Sequence, residues 1–299
     1  MIAAVFPGQG CEEPGVGVEW ASHPLFDVVS GLTGVDARRA VERFTRDLAR
    51  TSVLQPVLVA LSLVAWARLR ARGVHPAWVA GHSIGEIAAW AASGAIDDRE
   101  AIVLAATRGL AMEQAASERP GAMIALGPSH DRDRAVSVGR AHGEVSVAAT
   151  NGPSQTVLSG DLAAVAAIEA AIGGRRVRVS GAWHTPMMAS ARGPLAAAVA
   201  RVAPRRAERT LVTSIDGRAL APEEVPDLAG HLDAPVAWDR VMGTLRLAGV
   251  TDVVCLAPGR VMRALLRDGL GDLVRLHVAD SEKDLDRIAQ SLVSQRAAS

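Results

Sequence analysis

The chain has 299 residues, enough for one large domain that carries a smaller insert, and 49% of them are hydrophobic, enough for a sizeable core. Its 32 basic and 32 acidic residues give a formal net charge of zero, which argues against nucleic acid or an anionic membrane surface as partner. The opening "MIAAVFPGQG" has no basic n-region and too few apolar residues before Pro7 for a signal peptide. "IAAVF" at 2–6 reads as a buried strand, ended by the Gly-rich turn "PGQG". The apolar run "VLQPVLVALSLVAWARL" at 53–69 is interrupted by Gln55 and Pro56 and ends in arginines; a buried core helix over 56–72 is expected rather than a membrane span. "AWVAG" at 77–81 reads as a second strand, followed by a helix starting at Ser83 or Ile84 and another over 98–117 capped by Asp97 or Asp98. Strands alternating with helices across Gly-rich turns imply a parallel sheet covered by helices.

The pattern changes near Pro120. A strand at 121–127, a helix within 129–142, strands "VSVAATN" and "QTVLSG", a helix within 161–173 and a strand at 175–180 follow in about 60 residues, the β-α-β-β-α-β order of a ferredoxin-like unit. The expected fold is α/β. A large α/β-hydrolase-like subdomain (1–120 and 187–299) holds the parallel sheet, and a small ferredoxin-like subdomain (121–186) is inserted into it. Further strands are expected at 211–215 and 252–258, with fraying from about residue 294. The two cysteines, Cys11 and Cys255, have no metal-ligand spacing and fit a reduced, cytoplasmic protein. No metal or permanently bound cofactor is expected.

"GHSIG" at 81–85 fits G-x-S-x-G, a turn that presents a serine nucleophile between a strand and a helix. Small flanking residues avoid clashes around a strained serine, and the helix N-terminus offers N–H groups to an oxyanion. The competing reading makes Ser83 a helix cap, with Glu86 three residues on completing a capping box. A serine nucleophile needs a base. His82 reads as a packing or hydrogen-bonding residue, and His23, His75, His130 and His142 as surface. His184, in "SGAWHTPMM", and the late His277 remain, with His184 modestly favoured.

Eight ordered blocks extend the pattern: "VFPGQG" at 5–10, "TSVLQPVL" at 51–58, "GHSIGEIAAW" at 81–90, "RGLAM" at 108–112, "ATNGPSQTVLSG" at 149–160, "WHTPMM" at 183–188, "APVAW" at 234–238 and "APGRVM" at 257–262. With these the chain resembles the malonyl-CoA:acyl-carrier-protein transacylases and the acyltransferase domains of polyketide synthases over nearly its whole length. The resemblance implies Ser83 as nucleophile and His184 as general base, oriented by a backbone carbonyl at His231, where the family usually has glutamine. It also implies an oxyanion hole from the backbone N–H groups of Gln9 and Ile84, and a carboxylate clamp at Arg108. Gln55, Met112, Asn151 and Trp183 would line the pocket. The implied substrates are a coenzyme A thioester and the phosphopantetheine thiol of an acyl carrier protein, in polyketide or fatty acid biosynthesis, with the enzyme acting free-standing.

Departures from the family pattern bear on the acyl group. Gly181-Ala182-Trp183-His184 stands where malonyl-specific polyketide domains read His-Ala-Phe-His and methylmalonyl-specific ones Tyr-Ala-Ser-His. Trp183 should crowd an α-methyl branch and Ile84 points the same way, whereas Gly181 could open room for an unusual acyl group. "GQGCEE" and "CLAPG" also depart from the family. Rival readings are a hydrolase of acyl-carrier thioesters, transfer of an unusual acyl group between two carrier proteins, and an idle docking module. Arg175, Arg176, Arg178, Arg205 and Arg206 are candidates for a carrier-docking face.

Overall fold

The computed structural model describes residues 1–297. In chain order the elements are β1 (Ile2–Phe6), α1 (Leu25–Thr33), α2 (Ala37–Arg43), α3 (Thr51–Ala71), β2 (Trp78–Gly81), α4 (Gly85–Ala92), α5 (Asp98–Glu118), β3 (Gly121–Leu126), α6 (Arg132–Arg140), β4 (Val145–Gly152) and β5 (Gln155–Asp161). They continue through α7 (Leu162–Ala171), β6 (Arg175–Arg176), α8 (Arg192–Val199), β7 (Thr210–Val212), β8 (Val236–Ala237), α9 (Trp238–Leu247), β9 (Asp252–Leu256), α10 (Arg260–Leu270), β10 (Arg275–Ala279) and α11 (Glu282–Ala297). α11 runs past residue 294, where the sequence suggests fraying, while residues 298 and 299 lie outside the described ones.

Among the described residues there are two five-stranded sheets. The first has the order β10-β9-β1-β2-β7 and is parallel throughout. β1, β2 and β9 are almost wholly buried, which is why "AAVF", "VAG" and "DVVCL" read as continuous apolar runs. The second has the order β6-β3-β5-β4-β8, with antiparallel pairings among β6, β3, β5 and β4, the strand order of a ferredoxin-like unit. Its fifth strand, β8, comes from much later in the chain and pairs parallel with β4, so the segment after residue 186 reaches back onto the small sheet.

Several expectations shift. The core helix starts at Thr51 rather than Pro56, because Ser52 at its first turn finds a cap across the helix pair: its N–H and Oγ donate to Glu113 Oε2 at 3.0 and 2.6 Å. Pro56 then sits inside the helix, with its ring buried. α3 is long and apolar enough to cross a membrane by composition, yet 89% of its apolar window is buried inside the fold. The strand expected at 175–180 pairs only over Arg175–Arg176, and Val177 and Val179 turn toward a cavity instead. β10 is a partly exposed edge strand absent from the elements expected above, although Arg275, Leu276, His277 and Val278 alternate polar and apolar as a half-buried strand does. Asp97, not Asp98, caps α5 in a full capping box with Glu100.

The turn after β2 is built on close backbone approach. A Cβ on Gly81 would lie 2.0 Å from Gly85 C, and one on Gly85 would lie 2.3 Å from Phe6 O, so neither position admits a side chain. Gly81→Ala is therefore expected to lower stability by about 2 kcal/mol or more. Gly243→Ala, in α9 where a Cβ meets nothing within 4 Å, should instead raise it by about 0.5–1 kcal/mol. Thermal and urea melts of the two variants check the opposite signs.

Candidate active site

Ser83 lies at the carboxyl end of the parallel sheet, between β2 and α4, with a left-handed φ of 54°. That conformation is costly for a residue with a side chain and is enforced by the two glycine contacts. It turns Oγ out of the helix. Ser83 Oγ is 2.7 Å from His184 Nε2 and accepts from Arg108 Nη2 at 3.1 Å. The cap reading is thus excluded: Ser83 Oγ caps nothing, and the Glu86 carboxylate turns away to Ser214 and His231.

His184 also has a left-handed φ, 60°, and is buried. Its Nδ1 is 2.8 Å from His231 O and 3.1 Å from Ala234 O. Carbonyl oxygens only accept, so the hydrogen resides on Nδ1 and Nε2 is left to accept from Ser83 Oγ. Burial, the nearby Arg108 cation and His82 lower the His184 pKa to about 3, so the ring is neutral at neutral pH. His231 O, the carbonyl the resemblance implies, is one of two acceptors for the Nδ1 hydrogen, and Ala234 O is the second. His277 is elsewhere, on edge strand β10 with Nε2 3.0 Å from Asp252 Oδ1.

Arg108 is only 3% exposed. It reaches the site because α3 and α5 nearly touch at Gly109, where a Cβ would lie 2.6 Å from Thr51 O. The same crossing brings Gln55 beside it: Arg108 Nη1 donates to Gln55 Oε1 at 2.9 Å, and Gln55 Nε2 lies 3.3 Å from Met112 Sδ. Burial lowers the Arg108 pKa to about 10, partly offset by Glu86, so the guanidinium remains charged at neutral pH. Among the described residues no carboxylate lies within ion-pair distance of it.

These groups line a cavity of about 160 Å³ between the two sheets. Its wall includes Gln9, Gln55, His82, Ser83, Arg108, Met112, Asn151, Trp183 and His184, with apolar residues from β3, β4, β5 and α10. Asn151 is held in a polar chain, its Oδ1 2.8 Å from His82 Nε2 and its Nδ2 donating to Gln155 Oε1 at 2.8 Å. The turn after β1 approaches this wall closely, since a Cβ on Gly8 would lie 2.9 Å from His82 O. The backbone N–H groups of Gln9 and Ile84 make no hydrogen bond to backbone or side chain among the described residues. The Ile84 side chain is fully buried and absent from the cavity wall, so it does not shape the acyl site as the sequence suggested.

Two further expectations are corrected. Gly181 opens no room: a Cβ there would lie 2.4 Å from Trp183 Cζ3 and 2.9 Å from Ala116 Cβ, because the indole folds back over it. Arg205 and Arg206 do not share a face with Arg175. Arg175 lines the cavity, and Arg176 pairs with Glu169 at 2.9 Å. Arg205 and Arg206 sit beyond the other end of α4, where Arg205 N donates to Ala95 O and Arg206 pairs with Glu223. Glu86 is the residue whose place in the site the sequence did not show. It is fully buried, and only its position next to a helix start was available as a signal, which pointed to capping.

A neutral histidine poised to take a proton from a strained serine, beside a cation with no carboxylate partner and two N–H groups with no hydrogen bond among the described residues, is the arrangement of an enzyme that passes an acyl group through a serine ester. The comparisons agree. The chain belongs to the acyl transferase domain family, whose model matches residues 4–242. It is 33% identical over 303 residues to the malonyl CoA-acyl carrier protein transacylase of Mycobacterium bovis, covering 97% of this chain and 99% of that one. Among solved structures, the transacylase (MCAT) from Mycobacterium tuberculosis matches with a TM-score of 0.86 and 32% identity, covering 97% of this chain and 99% of that one. A malonyl-transacylase in complex with a holo type II polyketide synthase acyl-carrier protein matches with a TM-score of 0.86 and 26% identity, covering 97% and 99%.

The depressed His184 pKa carries a sign. The ring stays neutral as pH falls through the ordinary histidine range, so a fluorophosphonate should label Ser83 at a near-constant rate from about pH 8 down to about pH 5. Arg108→Ala removes a nearby cation and should move the acid limb to higher pH. An inflection at the ordinary histidine value in the parent protein, or no displacement in the variant, would contradict this assignment. Because the unfolded ring binds a proton near 6.5, His184 also makes the fold lose stability as pH falls below that value toward 3.

Proposed function

We propose that the protein transfers a malonyl group from coenzyme A, through an ester on Ser83, to the phosphopantetheine thiol of an acyl carrier protein in polyketide or fatty acid biosynthesis. The observation that carries this reading is the buried Arg108 cation, 3.1 Å from Ser83 Oγ and without a carboxylate partner among the described residues. A buried guanidinium is costly unless paired, and its planar fork matches a carboxylate at two points. An acyl group with a free carboxylate supplies that partner. A simple acyl chain does not, and neither does the substrate of a general thioester hydrolase.

In the first half-reaction Ser83 Oγ attacks the thioester carbonyl while its proton passes to His184 Nε2. The developing oxyanion lies between the N–H groups of Gln9 and Ile84. Collapse of the tetrahedral adduct breaks the C–S bond, and His184 returns the proton to the coenzyme A thiolate. In the second half-reaction the phosphopantetheine thiol gives its proton to His184 and attacks the ester, and the proton returns to Ser83 Oγ. Gln55 holds the Arg108 fork in place, and Met112 and Trp183 bound the space around the acyl chain. Trp183, folded against Gly181, leaves no side pocket there for an α-methyl branch, which favours malonyl over methylmalonyl. The reading is of an enzyme in a reducing cytoplasm, a setting supported by two buried free thiols whose pKa values burial raises.

Intact-mass spectrometry after brief exposure to equimolar malonyl-, methylmalonyl- and acetyl-CoA tests the proposal. Malonyl should dominate on the parent protein, and Ser83→Ala should carry no adduct. Arg108→Ala should lose the preference for malonyl over acetyl by about 10- to 100-fold, the range of one hydrogen-bonded charge. Acetyl labelling of the parent equal to malonyl would sink the proposal.

A further inference from the structure

The base His184 is held by a carbonyl on a short helical turn, Gly230–Leu232, and a three-residue turn has little stiffness of its own. What holds that turn is a buried side-chain pair on its far side. His231 Nδ1 lies 2.8 Å from Glu86 Oε2, with 5% of His231 and none of Glu86 exposed to solvent. The same Glu86 oxygen accepts from Ser214 N at 3.1 Å and Ser214 Oγ at 2.6 Å. Glu86 belongs to the first turn of α4, the helix that follows the serine turn. A closed circuit results: Ser83, the first turn of α4, the Glu86 carboxylate, the His231 ring, the His231 carbonyl, His184 Nδ1, His184 Nε2 and Ser83 Oγ.

From this circuit we infer that the His231 side chain, through its hydrogen bond to Glu86, is a positioning residue that sets the distance and angle between the base and the nucleophile. The inference rests on the reading of Ser83 and His184 as the reacting pair. The residue that offers its main chain to His184 on one side thus fastens its ring to the nucleophile's helix on the other. Burial opposes charge on His231, but the Glu86 carboxylate outweighs it and, with Asp227, raises the ring's pKa while Arg108 lowers it. Asp227 also anchors the turn through its backbone, accepting His231 N at 3.1 Å, and Gly230 N donates to its Oδ1 at 2.8 Å. With Ser214 the bonds to Glu86 Oε2 tie two separate segments, Ser214 and 227–232, to α4, while the buried Glu86 Oε1 and His231 Nε2 have no hydrogen-bond partner among the described residues.

The test uses His231→Ala and His231→Asn in the full chain. Alanine removes the donor. Asparagine places an amide N–H near the position of Nδ1 and keeps the bond to Glu86. Labelling of Ser83 by a fluorophosphonate reports activation of the serine without requiring malonyl-CoA, and malonyl labelling runs alongside it. In His231→Ala the maximal labelling rate should fall on the order of 10- to 100-fold, the scale of an ångström misplacement in a reacting pair. The half-saturating probe concentration should change less than about twofold, since probe binding is untouched. His231→Asn should recover most of the lost rate. Parent-like labelling of the alanine variant overturns the inference, and so does an asparagine variant as slow as alanine. If fluorophosphonate labels the parent as described but malonyl-CoA does not, the substrate reading falls and the positioning role stands. A parent Ser83 that fails to label overturns both.

Discussion

The site depends on one hydrogen-bond polarity. His184 Nδ1 faces two carbonyl oxygens, at His231 and Ala234, and a carbonyl cannot donate. The ring hydrogen is thereby fixed on Nδ1, and Nε2 is presented to Ser83 Oγ as an acceptor. No carboxylate is needed for this, and none among the described residues pairs with the imidazole. A carboxylate would raise the histidine pKa. Here the burial and the Arg108 cation lower it, and the neutral base persists over a wide pH range.

Burying this site places two opposite charges, Arg108 and Glu86, around the reacting pair, and their arrangement explains what each does. Arg108 is charged and contacts Gln55 and Ser83, and in the proposed reaction its fork is left for the acyl carboxylate. Glu86 is placed where its charge partly offsets that of Arg108, while its hydrogen bonds go to Ser214 and His231. The two opposite charges stay apart, so the guanidinium fork is open to an acyl carboxylate instead of being consumed by an internal salt bridge. Under the proposed function, acyl groups lacking a carboxylate would leave the buried cation unpaired and be disfavoured.

Much of this was legible in the sequence, for physical reasons that differ by residue. Ser83 was legible because Gly81 and Gly85 must be glycine wherever backbones approach so closely, and the strand and helix on either side are long enough to read. The α/β class and the ferredoxin-like strand order followed from element order alone. His184 was ambiguous with His277 until the resemblance separated them, since a ring's partners are set by the fold. What failed to read were features made by side chains meeting across the chain. Gly181 looked like an opening because the Trp183 ring that fills it cannot be seen in sequence. Glu86 looked like half of a capping box because its partners Ser214 and His231 come from distant segments. Arg205 and Arg206 looked like neighbours of Arg175, although α4 separates them. The start of α3 was misplaced because its cap, Glu113, lies on another helix.

The most direct measurement of the central claim is a crystal structure of the protein reacted with malonyl-CoA. The account predicts an ester on Ser83 Oγ, its carboxylate within about 3 Å of both terminal nitrogens of Arg108, and its carbonyl oxygen at similar distance from the N–H groups of Gln9 and Ile84. An acyl group whose carboxylate points away from Arg108 toward solvent, or an ester carbonyl directed away from those two N–H groups, would contradict it.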